Sequence, residues 1–172
     1  MEGLANHKGS AFGALGEAPQ PSSEEFENQL FAEFRAIPVG EVVWVEDESR
    51  LIGHVYMSDD FYERLCAAPV YALEQPLEWR VDHLVTNYAK YPNDQLEASF
   101  KRIQKKLGGQ HLKDAVEAMA IGDFAAAARI ALVYYDKAYH HYGERRQASV
   151  MATYQAVSSH AEEVAAQLVS GK

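Results

Sequence analysis

Nowhere in the 172 residues does the pattern G-x-x-x-x-G-K-[ST] occur. That loop cradles phosphates with backbone N–H groups and a lysine. Nucleotide or pyrophosphate binding by the usual route is therefore not expected of this chain. The terminal Ser170-Gly171-Lys172 lacks both the upstream glycine and a following helix. Cysteine is nearly missing: Cys66 stands alone, which excludes an internal disulfide and fits a reducing compartment. No apolar run approaches the roughly 20 residues of a membrane span, and no charged stretch leads into an apolar one as in a signal peptide. Basic residues are outnumbered, 16 against 25 acidic, for a net charge of −9. That excludes a surface that is basic throughout but leaves room for a local basic stripe. His140 and His141 are adjacent, so one helix face cannot present both to one metal, and zinc is not expected. These absences describe a soluble, cytoplasmic protein.

What is present can build a core. Hydrophobic residues make up 48% of a chain about one domain long. Residues 1–21 are rich in glycine and small residues and close on Pro19-Gln20-Pro21, so they read as a loop of the kind that follows a buried strand. Ser22-Ser23-Glu24-Glu25 fits a capping box. It opens a helix whose inward face is Phe26, Leu30, Phe31 and Phe34, stopped by Pro38 and Gly40. Val42-Val43-Trp44-Val45 is β-branched, apolar and followed by acids, the composition of a strand buried on both faces. Ser58-Asp59-Asp60 opens a second helix with Phe61 and Leu65 inward. Val70-Tyr71-Ala72-Leu73 is a second strand, and Pro76 starts a helix over 77–90. From Asn93 onward every segment reads as helix: 94–107 closed by Gly108-Gly109, 111–120 closed by Gly122, a third from Asp123 to the Tyr135 region, and a last one over 147–169. The alternation predicts an α/β fold, a partial doubly wound parallel sheet followed by a helical C-terminal region. The expected division is residues 1–92 and residues 93–172. Two strands are fewer than the usual sheet of about four to six.

Several constellations can carry chemistry. Asn6, His7, Lys8 and Ser10 offer hydrogen bonds and one positive charge to a phosphate, with Gly9 permitting close backbone approach; an ordinary polar loop would look the same. Glu46 and Asp47 follow the 42–45 segment, where open α/β sheets bind ligands and carboxylates can hold Mg²⁺ through water. Arg50 can reach a phosphate or pair with one of these acids. Arg80 opens the helix after the second strand, and either a phosphate or a salt bridge with Glu78 or Asp82 accounts for it. Lys101, Arg102, Lys105 and Lys106 share a helix face, a stripe that suits an RNA backbone or plain solvent. Tyr135, Tyr139 and Tyr142 share another face, with Arg145 just beyond. Such rings stack on unpaired bases or fill a core.

The strings EGLANHKGSAFG, QPSSEEFEN, VVWVEDESRLIGHV and YYDKAY, spread over residues 2–146, resemble tRNA 2-selenouridine synthases, whose rhodanese domain is followed by a P-loop domain. The resemblance implies a P-loop NTPase-like body that begins here after its first strand and phosphate loop. It implies an activity that replaces sulfur by selenium in a wobble 2-thiouridine through a geranylated intermediate. Selenophosphate and geranyl diphosphate are its substrates, tRNA its partner and Mg²⁺ its metal. The family's position 8 is usually arginine, so Lys8 keeps the charge and loses the bidentate geometry. The selenium-handling cysteine belongs to the rhodanese domain, and Cys66 is not its counterpart. No catalytic residue is expected in this chain, which alone should not turn over. Either the reading frame is truncated or a separate chain supplies the rhodanese domain and phosphate loop. A non-catalytic RNA-binding or scaffold module with a P-loop-derived body is the alternative.

Overall fold

The computed structural model describes residues 1–146 and 149–170, without the side chains of 141–146 and 161. The chain forms two compact units, Met1–Ala67 and Ala68–Lys172. The division falls ahead of the second expected strand, whereas the sequence reading places it after residue 92.

The first unit holds α1 (Glu2–Ala5), α2 (Ser23–Ala36), an antiparallel hairpin of β1 (Leu51–Ile52) and β2 (Val55–Tyr56), and α3 (Asp59–Ala67). Ser22 caps α2 as its sequence predicts: its hydroxyl accepts from the backbone N–H of Glu25 at 3.1 Å. Phe26 and Leu30 enter a core with Ala5, Ile52, Val55, Met57 and Leu65. Phe31 is 65% exposed and Phe34 sits at the rim, edge-on to Phe61. The buried stripe of α2 is thus narrower than its aromatic content suggests.

Gln20 ties the N-terminal loop to the hairpin. Its Nε2 donates to the carbonyls of Ala5 (3.0 Å) and Ile52 (2.9 Å), and its Oε1 accepts from the N–H of His54 (3.0 Å). The hairpin turns at Gly53, with φ of 63°; a Cβ there would lie 2.1 Å from the Gln20 oxygen. Gly53→Ala combines a left-handed backbone, costing about 1–2 kcal/mol in a non-glycine residue, with displacement of an amide making three hydrogen bonds of about 1 kcal/mol each. Thermal unfolding should show a fall of at least 10 °C, given roughly 4–8 °C per kcal/mol in so small a unit. A shift under 3 °C would mean that Gln20 moves aside freely.

The second unit runs β3 (Val70–Glu74), α4 (Leu77–Tyr88), α5 (Asn93–Leu107), α6 (Gly109–Ala120), α7 (Phe124–Arg146), β4 (Val150–Gln155) and α8 (Ala161–Ser170). Pro92 and Gly108 bound α5, and the Asp123 carboxylate accepts the Ala126 N–H at the start of α7. Leu96, Phe100, Ile103 and Leu107 of α5, Ala115 and Met119 of α6, and Ala127, Ala131 and Leu132 of α7 are buried. Alanines at 127 and 131 let α7 lie close to its neighbours, and α4, α5 and α6 all pack on it. β3 and β4 pair in parallel, with an irregularity between Val70 and Tyr71 and the rings of Tyr71 and Tyr154 stacked at 6.4 Å.

Two sequence expectations fail here. Residues 42–45 belong to no strand, because among the described residues no strand pairs with them. The expected helix over 147–169 is instead β4 followed by α8. Val150–Gln155 alternates half-buried and exposed positions and finds its partner in β3. The described sheets have two strands each.

Candidate functional site

In the first unit, the residues expected to meet phosphate are largely occupied with one another. Asn6 adopts the left-handed conformation (φ 49°) that ends α1, and its Nδ2 donates to the Pro19 carbonyl at 3.0 Å. His7 is buried. The Lys8 ammonium contacts Glu17 at 2.6 Å and the Leu15 carbonyl at 3.5 Å. The Lys8 N–H donates to the carbonyl of Gly13, whose own N–H donates to the Ser10 carbonyl; the Ser10 hydroxyl accepts from the N–H of Phe12. The loop is therefore a knotted turn held by its own polar groups.

Arg50 does not pair with the acids beside it. It forms an ion pair with Asp59 at the start of α3, and its guanidinium lies 4.6 Å from the Tyr56 ring centroid and 5.8 Å from that of Tyr62. Glu46 meets the N-terminal ammonium at 3.2 Å. Glu46 and Asp47 are exposed. Among the described residues, no group of three His, Cys, Asp or Glu side chains could hold a metal ion. The residues present do not form a cage for a resident metal.

The carboxyl that does converge with another is Glu48, on Glu2, beside Gly9. Gly9 has φ of 57°, and a Cβ there would come within 2.4 Å of Glu48 Oε1 and 3.0 Å of Glu2 Oε1. Burial first, then the charge of Glu48 and a hydrogen bond to it, push the Glu2 carboxyl up to about 7. Burial also raises Glu48, opposed by hydrogen bonds from the Ser49 N–H and from Glu2. The pair thus shares a proton that Glu2 donates. An acid with a raised folded pKa keeps a proton that the unfolded chain releases, so its contribution to stability falls as pH rises from about 4.5 through 7. Melting curves between pH 5 and 8 should show the native chain losing stability relative to Glu2→Gln. Parallel pH dependences of the two proteins would remove the shared proton from the account.

In the second unit, Arg80 makes a two-pronged pair with Asp136 of α7, at 2.5 and 3.1 Å. Neither Glu78 nor Asp82 is its partner. Glu78 pairs instead with Arg129, at 2.6 and 2.5 Å. These two pairs bridge α4 to α7. The Arg129 hydrogen bond holds the Glu78 carboxyl below its ordinary range, and the bond to Asp136 raises Arg80. Lys101, Arg102, Lys105 and Lys106 all lie exposed on α5, opposite its buried face. Lys101 contacts Glu97 at 2.7 Å. Tyr134 and Tyr135 are half-buried and meet edge to face at 4.9 Å, while Tyr139 is 71% exposed. The side chains of Tyr142 and Arg145 lie outside the described residues.

The family model described as the tRNA 2-selenouridine synthase AAA domain matches residues 1–169. The chain belongs to that family. Among curated relatives of this tRNA 2-selenouridine synthase AAA domain, the tRNA 2-selenouridine synthase of Sulfurovum sp. (strain NBC37-1) is 36% identical over 131 residues, covering 66% of this chain and 36% of the relative. That of Nitrosomonas europaea is 41% identical over 91 residues, covering 51% and 23%. That of Alcanivorax borkumensis is 35% identical over 146 residues, covering 70% and 40%. The chain spans between about a quarter and two fifths of these relatives' length. No solved structure matches. No helix among the described residues is long and apolar enough to cross a membrane.

For this AAA-domain chain, sequence reasoning missed Glu2 as the partner of Glu48, Gln20 as the tie to the hairpin, and Asp136 as the partner of Arg80. Each pairing joins residues more than 30 positions apart. Local spacing carries no signal for them.

Proposed function

We propose that this chain is the tRNA-holding portion of a transferase that replaces sulfur by selenium in a wobble 2-thiouridine, with α5 gripping the RNA backbone. The exposed row Lys101, Arg102, Lys105 and Lys106, in a chain of net charge −9, carries the reading. Four cations on one helix face match the charge of an RNA backbone, and the relatives are named for a tRNA modification. Exposed Tyr139 is the ring best able to stack on a splayed base, with Tyr135 and Arg145 of the same helix as its companions. Geranyl diphosphate and selenophosphate are the proposed co-substrates, by way of a geranylated thiouridine. Lys8, Asn6, His7 and Ser10 would form the edge of the diphosphate site. Arg50 and Arg80 would meet phosphate only by exchanging Asp59 and Asp136 for it. Glu46 and Asp47 would take a water-held Mg²⁺ arriving with the diphosphate, and Asp47→Ala in the full enzyme should then slow geranyl transfer.

The doubly wound P-loop-like sheet is part of this proposal, its remaining strands and phosphate loop coming from a region, or a separate chain, that also bears the rhodanese domain. The chain alone should be inactive, and the setting is the cytoplasm. The missing G-x-x-x-x-G-K-[ST] pattern favours a second reading, a non-catalytic tRNA-binding module. Filter binding of a tRNA anticodon stem at 50–200 mM salt tests both, the salt levels being those over which phosphate contacts are read. Binding by the chain alone, with a steep salt slope, supports the grip by α5. Binding that ignores salt rejects it.

A further inference from the structure

Val42, Val43, Trp44 and Val45 are four consecutive apolar residues, and all are exposed: 80%, 39%, 47% and 38%. They belong to no helix or strand. Backbone hydrogen bonds flank them, from Glu41 N–H to the Pro38 carbonyl and from Glu48 N–H to the Glu46 carbonyl. Among the described residues, Val42, Val43 and Val45 make no backbone–backbone hydrogen bond. Water is a poor neighbour for such a run. β-Branched residues suit a pleated, covered surface, and a contiguous exposed apolar stretch marks an interaction site. Because the run does not alternate, it fits a strand covered on both faces rather than one face of an amphipathic edge. The unit's own sheet offers nothing to pair with, since its strands are two residues long and already joined to each other.

We propose that residues 42–45 are a docking strand, completed by a β-strand from the region that the relatives carry beyond the matched stretch. The matched stretch is only 36% of the Sulfurovum relative and 40% of the Alcanivorax relative, so a further body of sequence accompanies this unit in the family. Main-chain pairing supplies the register and the apolar side chains supply the cover, as in other strand additions. Glu46, Asp47 and Glu48 follow at once and select against an acidic partner edge. The identity of the occupant rests on the family reading. RNA binding by α5 belongs to the other unit and is read by salt slope, so the two proposals fail separately.

The test is hydrogen exchange over residues 41–48, in the chain alone and after co-expression with the unmatched region of the Sulfurovum relative. The amides should exchange within seconds in the chain alone and at least 100-fold more slowly in the complex. In a Trp79→Phe background, Trp44 emission should shift to the blue on assembly. Val43→Lys with Val45→Lys should abolish the complex while the isolated chain melts within about 2 °C of its parent, as exposed positions allow. Val42→Lys is the milder second variant, and it should weaken assembly in the same direction. The proposal is overturned by slow exchange in the isolated chain, by no complex, or by a complex that leaves these amides unprotected. Protection that instead rises with concentration and tracks a dimer mass would give the face to a second copy, and overturns it too.

Discussion

Phe26→Ala should unfold Met1–Ala67 while leaving the helices of Ala68–Lys172 protected from hydrogen exchange. Phe26 is fully buried at the centre of the first unit's core, against Ala5, Leu30, Ile52, Val55, Met57 and Leu65. Removing a buried phenylalanine ring typically costs about 3–5 kcal/mol, the lost transfer energy plus the cavity left behind. A single core in a unit of this size rarely supplies more than about 3–5 kcal/mol in total. The two magnitudes are equal, so the substitution should take the unit to or past its midpoint at 25 °C. Exchange in α2 and the hairpin should then reach the unfolded rate, with α5, α6 and α7 unchanged. Loss of protection in both units together would show that they fold as one.

Replacing Lys101, Arg102, Lys105 and Lys106 together by glutamine should remove most of the chain's affinity for tRNA. If all four cations meet phosphates, log K falls with log salt at a slope of about −3.6, or about 10²-fold between 50 and 200 mM. The variant should bind at 200 mM no more weakly than at 50 mM, apart from contacts made elsewhere. Glutamine is a good helix former, and the four positions are exposed on the face of α5 away from its buried residues. The melting temperature should therefore move little, with only the Lys101–Glu97 pair lost, worth about 0.3–0.5 kcal/mol. Unchanged affinity in a folded variant would move the RNA site off this helix.

Helices whose start and stop are local were legible in the sequence. Ser22 before α2, Pro76 before α4, Gly108 after α5 and Asp123 before α7 each act within a turn of the residues they govern. Strands were not, because a strand is decided by its partner. Residues 42–45 have the stronger β composition and no ladder. Val150–Gln155, with Met, Ala and Gln at three of six positions, pairs with β3 about 80 residues earlier. Tertiary context overrides propensity there. The candidate site shows the same split. The basic row on α5 follows from helix periodicity alone. The fates of Lys8, Arg50 and Arg80 depend on Glu17, Asp59 and Asp136, and the last of these lies 56 residues away.

The parallel pairing of β3 with β4 has a consequence for synthesis. Val70 leaves the ribosome about 80 residues ahead of Val150, which at roughly 5–20 residues per second is a wait of about 4–16 s. During that interval β3 is a nascent ribbon with neither edge satisfied, while α4 to α7 can coil behind it from local contacts. Closing the sheet is the late event in the birth of this unit. The waiting ribbon is where a chaperone should bind, and where aggregation should begin if translation stalls before residue 150.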